Sequence, residues 1–346
     1  MSQEKQSAPK NVRARASHSN LRGVWIALAA MVVVQTFVIG FDYPSFGEWF
    51  KMWSANWVNI LRNNSIVGII ALGMTFVIIT GGIDLAVGST LVGVGTIAMV
   101  LFDTGPAGVL KGLGITGVPA IIIAVVAALI SGVLMGMTTG LLVTKGRIPP
   151  FIVTLGMMNI IRSVVQYFMQ ARSAPIVPDE FKALANSMVG GQRILPIIYW
   201  LVLAIVMHII SRHTAFGRHV YAVGSNERTT RLSGINVDKV KILVYTLMGL
   251  IVSFAALVET ARMGSMNPSN AGSGYELDAI AAVVVGGTSM SGGKGSILGA
   301  VLGMLIIGVM NNLLNLIGVP SFLRNACKGA IVILAVLMQR KRANAN

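Results

Sequence analysis

Cysteine, histidine and charge are all scarce in this chain, and each scarcity removes a class of function. Cys327 is the single cysteine, so neither an intrachain disulfide nor a cysteine metal cluster can form. It lies inside an apolar run, where it reads as a small buried hydrophobe. The four histidines (His18, His208, His213, His219) have no His-Glu-x-x-His spacing and no accompanying carboxylate cluster that would hold a metal. No phosphate loop is present: around Gly292-Gly293-Lys294-Gly295-Ser296, Thr288 stands where the loop needs its first glycine and Gly295 where it needs Ser or Thr. Ser and Thr are abundant, but no apolar run pairs one with His or Asp as an intramembrane hydrolase would require. The chain reads as a non-enzyme with no cofactor of its own.

What is abundant is apolar sequence. Of 346 residues, 54% are hydrophobic and 11% charged, the composition of a polytopic integral membrane protein of the all-α class rather than of a soluble two-domain chain. About ten transmembrane helices fit the hydropathy, near 24–41, 63–80, 88–102, 118–143, 150–170, 195–211, 242–260, 277–290, 296–313 and 322–338. Several are shorter than the ~20 residues that cross hydrocarbon, so some are broken helices or have uncertain ends. The first run is too long for a signal-peptide core and leads to Asp42-Tyr43-Pro44 with no small-residue cleavage site, which predicts a retained span. The organisation expected is a cytoplasmic tail over 1–23, a transmembrane body over 24–338 and a short cytoplasmic tail over 339–346.

The formal charge is +15, but its cations fall in short clusters between apolar runs. Scattered clusters mark membrane topology and give no reason to expect nucleic acid. With both termini inside, Lys145, Arg147, Lys294, the two termini and the segment 212–241 collect most of the Lys and Arg residues in the cytoplasm. Two glycine ladders repeat every four residues, Gly132-Gly136-Gly140 and Gly295-Gly299-Gly303, and mark close helix contacts, within one subunit or at a seam between copies. Two Gly-rich interruptions, 81–89 and 286–296, both run from GG to GS at the expected cytoplasmic side and read as counterparts in two halves of a repeated fold.

Polar residues within apolar runs are costly and therefore informative. Asn64 opens the second run, Asp84 lies at the first glycine break, Asn159 and Arg162 lie in the fifth, and Asn311, Asn312 and Asn315 cluster late in the ninth. Neutral amides with few charges suit a path for a neutral, hydroxyl-rich solute better than an ion relay. Each of these residues also has a plain structural reading, as a helix cap or an interhelical bond; Asp84 and Arg162 suit structural ion pairing.

The segment 212–241 is the one long internal polar stretch rich in cations: Arg212, Arg218, Arg228, Arg231, Lys239 and Lys241 stand against Glu227 and Asp238. Inside it a short helix is predicted, about two turns or roughly 12 Å long. Ser225 is its expected N-cap, Glu227 faces the positive end of the dipole, Arg231 follows toward the other end, and Gly234 suits the left-handed residue after it. Asp238 marks the expected start of the next span.

Residues 274–289 (GYELDAIAAVVVGGTS) and 81–89 (GGIDLAVGS) resemble the permease subunits of ribose-type sugar ABC importers, as do 216–218 (FGR), 221–226 (YAVGSN), 232–237 (LSGINV) and 311–316 (NNLLNL). The resemblance covers roughly 60–338, with the motifs in the right order. It implies the transmembrane subunit of an importer for ribose or a related monosaccharide or polyol, in the bacterial plasma (inner) membrane. The partners it implies are a cytoplasmic ABC ATPase that uses the ATP, an extracytoplasmic sugar-binding protein, and a second permease copy or homologue, all set in membrane lipid. It also implies that Ser225, Asn226, Glu227, Arg228, Arg231, Leu232, Ser233 and Gly234 form the segment that couples to the ATPase. A branched-chain amino-acid importer of similar architecture and a secondary transporter are the alternatives.

Overall fold

The computed structural model describes residues 12–106, 108–169 and 175–344. The first eleven residues of the amino-terminal tail, with Lys5 and Lys10, lie outside the described residues, as do Arg172 and residues 345–346. The described chain is all-helical. In order the elements are α1 (Val12–Ile39), α2 (Phe46–Ile79), α3 (Val87–Phe102), α4 (Val109–Gly112), α5 (Val118–Thr144), α6 (Pro150–Met169) and α7 (Asp179–Asn186). They continue with α8 (Leu195–His213), α9 (Ala215–Ser225), α10 (Glu227–Leu232), α11 (Val237–Met263), α12 (Tyr275–Val285), α13 (Ile297–Leu316) and α14 (Ser321–Asn344). One isolated bridge, Val189 to Gln192, is the β pairing among the described residues.

Among those residues, six helices are long and apolar enough to cross a membrane by length and composition: α2, α5, α6, α8, α11 and α13. Gly23–Ile39 within α1 and α3 are apolar but shorter. The run expected over 277–290 ends as helix at Val285, because Gly286 and Gly287 break it. At 1.5 Å per residue α12 is a half-length rod of about 17 Å.

Both glycine ladders are used inside the chain. Gly132 lies against Gly249 and Ser253, Gly136 against Gly249 and Tyr245, and Gly140 against Ile242, so α5 and α11 run antiparallel with their backbones touching. Gly299 and Gly303 meet Gly286 and Ala282 in the same way, joining α13 to α12. A Cβ at any of these glycines would meet main-chain atoms, which cannot swing aside. Away from these seams, Ile122, Ile130, Phe151, Ile160, Val202 and Ile205 are exposed, as expected of surfaces that face lipid or another subunit.

The long helices form two sets of opposite sense. In one, α3 follows α2 and packs on α5 and α6; in the other, α12 follows α11 and packs on α13 and α14, while α2 and α11 pack antiparallel, Gly73 against Met248 and Asn63 against Arg262. The connection 80–86 of the first set therefore corresponds to 264–274 of the second. This corrects the matching of 81–89 with 286–296: those two breaks join different helix pairs, and the second meets the end of α2 through Gly293 N–H donating to Ile79 C=O at 2.9 Å. The starts of α3 and α12 meet where Gly88 lies against Gly272, and Tyr245, about 12 Å along α11, donates its hydroxyl to Ile83 C=O at 3.4 Å. Both connections thus turn back into the bundle.

Candidate functional site

Two places stand out, one at each end. At the first, α8 passes into α9 and α10 beside the ends of α2 and α12. Thr214 caps α9 by accepting from Gly217 N–H at 3.1 Å, and the Phe216 ring stacks on Phe76 of α2 with centroids 6.0 Å apart. Gly224 lies directly against Ile79 C=O and Gly293 N–H, an approach open only to glycine. Ser211 donates to the Tyr221 hydroxyl at 3.1 Å, which donates in turn to Gly295 C=O at 3.0 Å. The basic connections at Lys145, Arg147 and Lys294 share this end, since α5 finishes against the start of α11.

The cap of α10 is Asn226, not Ser225: its side chain accepts from Thr229 N–H at 2.9 Å, while Ser225 is the last residue of α9. The continuous helix through 215–225 absorbs the serine. α10 has six residues, about 9 Å rather than two full turns. Thr230 anchors it by donating to Ala222 C=O at 2.8 Å, and Gly234 ends it at φ +80° as the sequence predicts. The next helix starts one residue before Asp238, at Val237, with Asn236 as its cap. Glu227 takes Lys241 at 2.7 Å and Arg231 takes Asp238 at 3.0 Å, tying α10 to α11. Ser225, Asn226, Glu227, Arg228, Arg231, Leu232, Ser233 and Gly234 are all exposed, and Leu232 keeps 82% of its surface free. The result is a short exposed helix, held from below through Thr230, presenting Arg228 and Leu232 outward.

The second place is a cavity of about 410 Å³ at the opposite end, between α2, α12, α13 and α14. Its volume lies in the range of small-molecule sites, roughly 300–1,000 Å³. Asn64, Asn311, Asn312 and Asn315 line it together with Asn63, so four of the residues singled out in the sequence converge. Gly308 lets Asn64 lie flat on α13, and Asn64 donates to Ile60 C=O at 2.7 Å. Asn312 exchanges hydrogen bonds with Asn56 at 3.0 and 3.3 Å and accepts from the fully buried Gln35 at 3.1 Å. Asn315 accepts from Arg324 at 3.1 Å. The Asn311 Oδ1 is buried with no partner.

Three expected path residues lie elsewhere. Asp84 is buried at the start of α3, where it accepts from Ala86 N–H at 2.9 Å and shapes the turn. Arg162 reaches from α6 to Pro268 C=O and Ala271 C=O at 2.9 and 2.8 Å, clamping the 264–274 connection. Asn159 is exposed and donates to Leu155 C=O of its own helix at 3.2 Å. Conversely, sequence reasoning missed Asp278, whose carboxylate takes Lys328 at 2.8 Å on the cavity wall. A signal existed: Lys328 and Arg324 are charges inside an apolar run, and such charges need partners. Cys327, next to Lys328, is half-buried.

A family model described as branched-chain amino acid transport system / permease component matches residues 56–336. The ribose import permease protein of Escherichia coli strain K12 is 43% identical over 291 residues, 83% of this chain and 86% of that protein. The ribose import permease protein of Bacillus subtilis strain 168 is 38% identical over 323 residues, 93% of each chain. The xylose transport system permease protein of Haemophilus influenzae is 34% identical over 361 residues, 90% of this chain and 95% of that one. No solved structure matches the chain.

Proposed function

Because the chain belongs to the branched-chain amino acid transport system / permease component family and is a multi-pass membrane protein, we propose that it is the membrane subunit of an ATP-driven importer of ribose or a related monosaccharide or polyol. A separate cytoplasmic ATPase hydrolyses the ATP, an extracytoplasmic binding protein delivers the solute, and a second permease completes the pore. The membrane is the bacterial inner membrane, crossed about ten times with both termini in the cytoplasm. In this reading α1, α3, α12 and α14 join the six long helices as full or partial crossings.

The observation that carries the reading is the exposed α10, seated through Thr230 on α9, whose Gly224 meets α2 and the 286–296 connection main chain to main chain. Residues 225–234 dock on the ATPase, and a push on α10 reaches α2 through Gly224 and Ile79 and reaches the 286–296 connection through Gly293. No side chain intervenes at those contacts to absorb the motion. The basic connections gathered at this end support its cytoplasmic placement.

Reconstitution in liposomes with the cognate ATPase and binding protein tests the reading. Ribose or xylose uptake is expected to require ATP; uptake that persists without the ATPase sinks it. Glu227→Ala together with Arg228→Ala is expected to reduce ATPase capture by at least about tenfold, the loss of one charged contact and one helix tie. Unchanged capture with intact transport removes the docking role. The family description keeps branched-chain amino acids as a second reading, and radiolabelled ribose against leucine separates the two.

A further inference from the structure

We propose that the amide-lined cavity between α2, α12, α13 and α14 is a solute-binding site contained within one chain, selective for a neutral polyhydroxylated solute of about monosaccharide size. The inference rests on the importer reading and deepens it, since it says where in the chain the solute is held and by which groups.

The wall chemistry carries the argument. An amide offers a donor and an acceptor side by side, the complement of a hydroxyl that does both. Asn63, Asn64, Asn311 and Asn315 bring four such groups to one volume of about 410 Å³, large enough for a pentose and ordered water. Asn311 lines the cavity, and its Oδ1, buried without a protein partner, gains one when the amide turns that oxygen toward a solute hydroxyl. The protein has already fixed the neighbouring amides: Asn312 is locked by Gln35 and Asn56, and Asn315 by Arg324. Ordering has therefore been met before a solute arrives.

Hydrogen-bonding groups decide the class. Asp278 and Lys328 pair at 2.8 Å through Oδ2, which leaves Oδ1 of Asp278 to accept from a solute hydroxyl, and the further cation on the wall, Arg324, is held by Asn315 at 3.1 Å. A paired carboxylate makes a strong hydrogen-bond acceptor without demanding a cation. A branched aliphatic side chain would find little to bury against, because Ile60 and Val67 are the aliphatic side chains lining the cavity. Tyr275 also lines it, while its hydroxyl donates to Glu259 at 3.0 Å; an aromatic ring on the wall suits the C–H face of a sugar. The cavity lies at the end of the bundle opposite α10, where an extracytoplasmic donor protein would release its cargo.

The test uses the whole importer in liposomes. Cys327→Ser removes the native thiol, and Asn325→Cys places a single thiol on the cavity wall. Millimolar D-ribose is expected to slow labelling by a hydrophilic maleimide at least about threefold, D-xylose and xylitol less or similarly, and L-leucine not at all. Asn311→Ala removes an oxygen with no internal partner and so leaves folding intact, yet sugar uptake is expected to fall about tenfold, the worth of one buried polar contact. Asp278→Asn with Lys328→Met removes the ion pair without changing the net charge of the cavity and is expected to cost a further tenfold or so. If wild-type complex accumulates ribose with ATP while no sugar or polyol slows labelling and Asn311→Ala transports normally, the importer reading stands and this site is refuted. If leucine alone protects the thiol and is accumulated, both fall.

Discussion

The two ends of the bundle are held together by different kinds of contact. At the end bearing α9 and α10, main chain meets main chain: Gly224 against Ile79, Gly293 N–H on Ile79 C=O, and Gly292 beside both. At the cavity end, side chain meets side chain: Asn312 with Gln35 and Asn56, Asn315 with Arg324, Asp278 with Lys328. Main-chain contacts have no rotamers to absorb a displacement, so the first end suits the transmission of force. Amide and carboxylate networks can exchange one partner for another at modest net cost, so the second suits a solute that enters and leaves. The exposed surface of α10 and the amide-lined wall of the cavity are the surfaces each end leaves open.

That contrast ranks the consequences of small changes. The largest effect is expected from Gly224→Ala. Its new methyl meets Ile79 C=O and Gly293 N–H, neither of which can turn away, so about 2 kcal/mol of stability should be lost along with most ATP-coupled uptake. Thermal unfolding in detergent and ATPase pull-down measure the two parts; a variant as stable and as coupled as wild type would remove the mechanical distinction. Gly308→Ala should be milder. There the methyl meets Nδ2 and Cγ of Asn64 at 2.7 and 3.0 Å, the far end of a side chain that can move, and the expected stability loss is under about 1 kcal/mol. Its mark should fall on the concentration dependence of uptake, and a stability loss equal to that of Gly224→Ala would show the cavity end to be equally rigid. The smallest effect belongs to Arg231→Ala. It removes exposed pairs with Asp238 at 3.0 Å and Glu227 at 3.7 Å, worth about 0–1 kcal/mol and less in high salt. Chemical denaturation at two salt concentrations checks it.

Much of the fold was legible in the chain because its signals are local. Each apolar run falls on a helix, and both glycine ladders predict seams that the structure places between α5 and α11 and between α12 and α13. Gly234 ends α10 in the left-handed region. The helix cap was misread because Ser225 and Asn226 are adjacent capping types, and only the continuation of α9 decides between them. The repeat was misread for a related reason. The strings at 81–89 and 286–296 look alike because both must let backbones approach, whereas correspondence between halves follows from helix direction. Of the polar residues, Asn64, Asn311, Asn312 and Asn315 came together and Asp84, Asn159 and Arg162 did not. Composition treats all seven alike, since cost at membrane depth does not depend on which way a side chain faces.

By itself, then, the sequence determined an all-helical membrane chain with one basic end and a short exposed helix at that end. Those properties follow from hydropathy, charge and caps, each set within a few residues. Only the tertiary structure decided that Asn64 would face Asn311, that Asp278 would find Lys328 fifty positions on, and that Gly224 would rest on Ile79. These meetings depend on how far each helix is rotated and where each glycine break turns the chain. Both are settled by the summed close packing of the whole bundle.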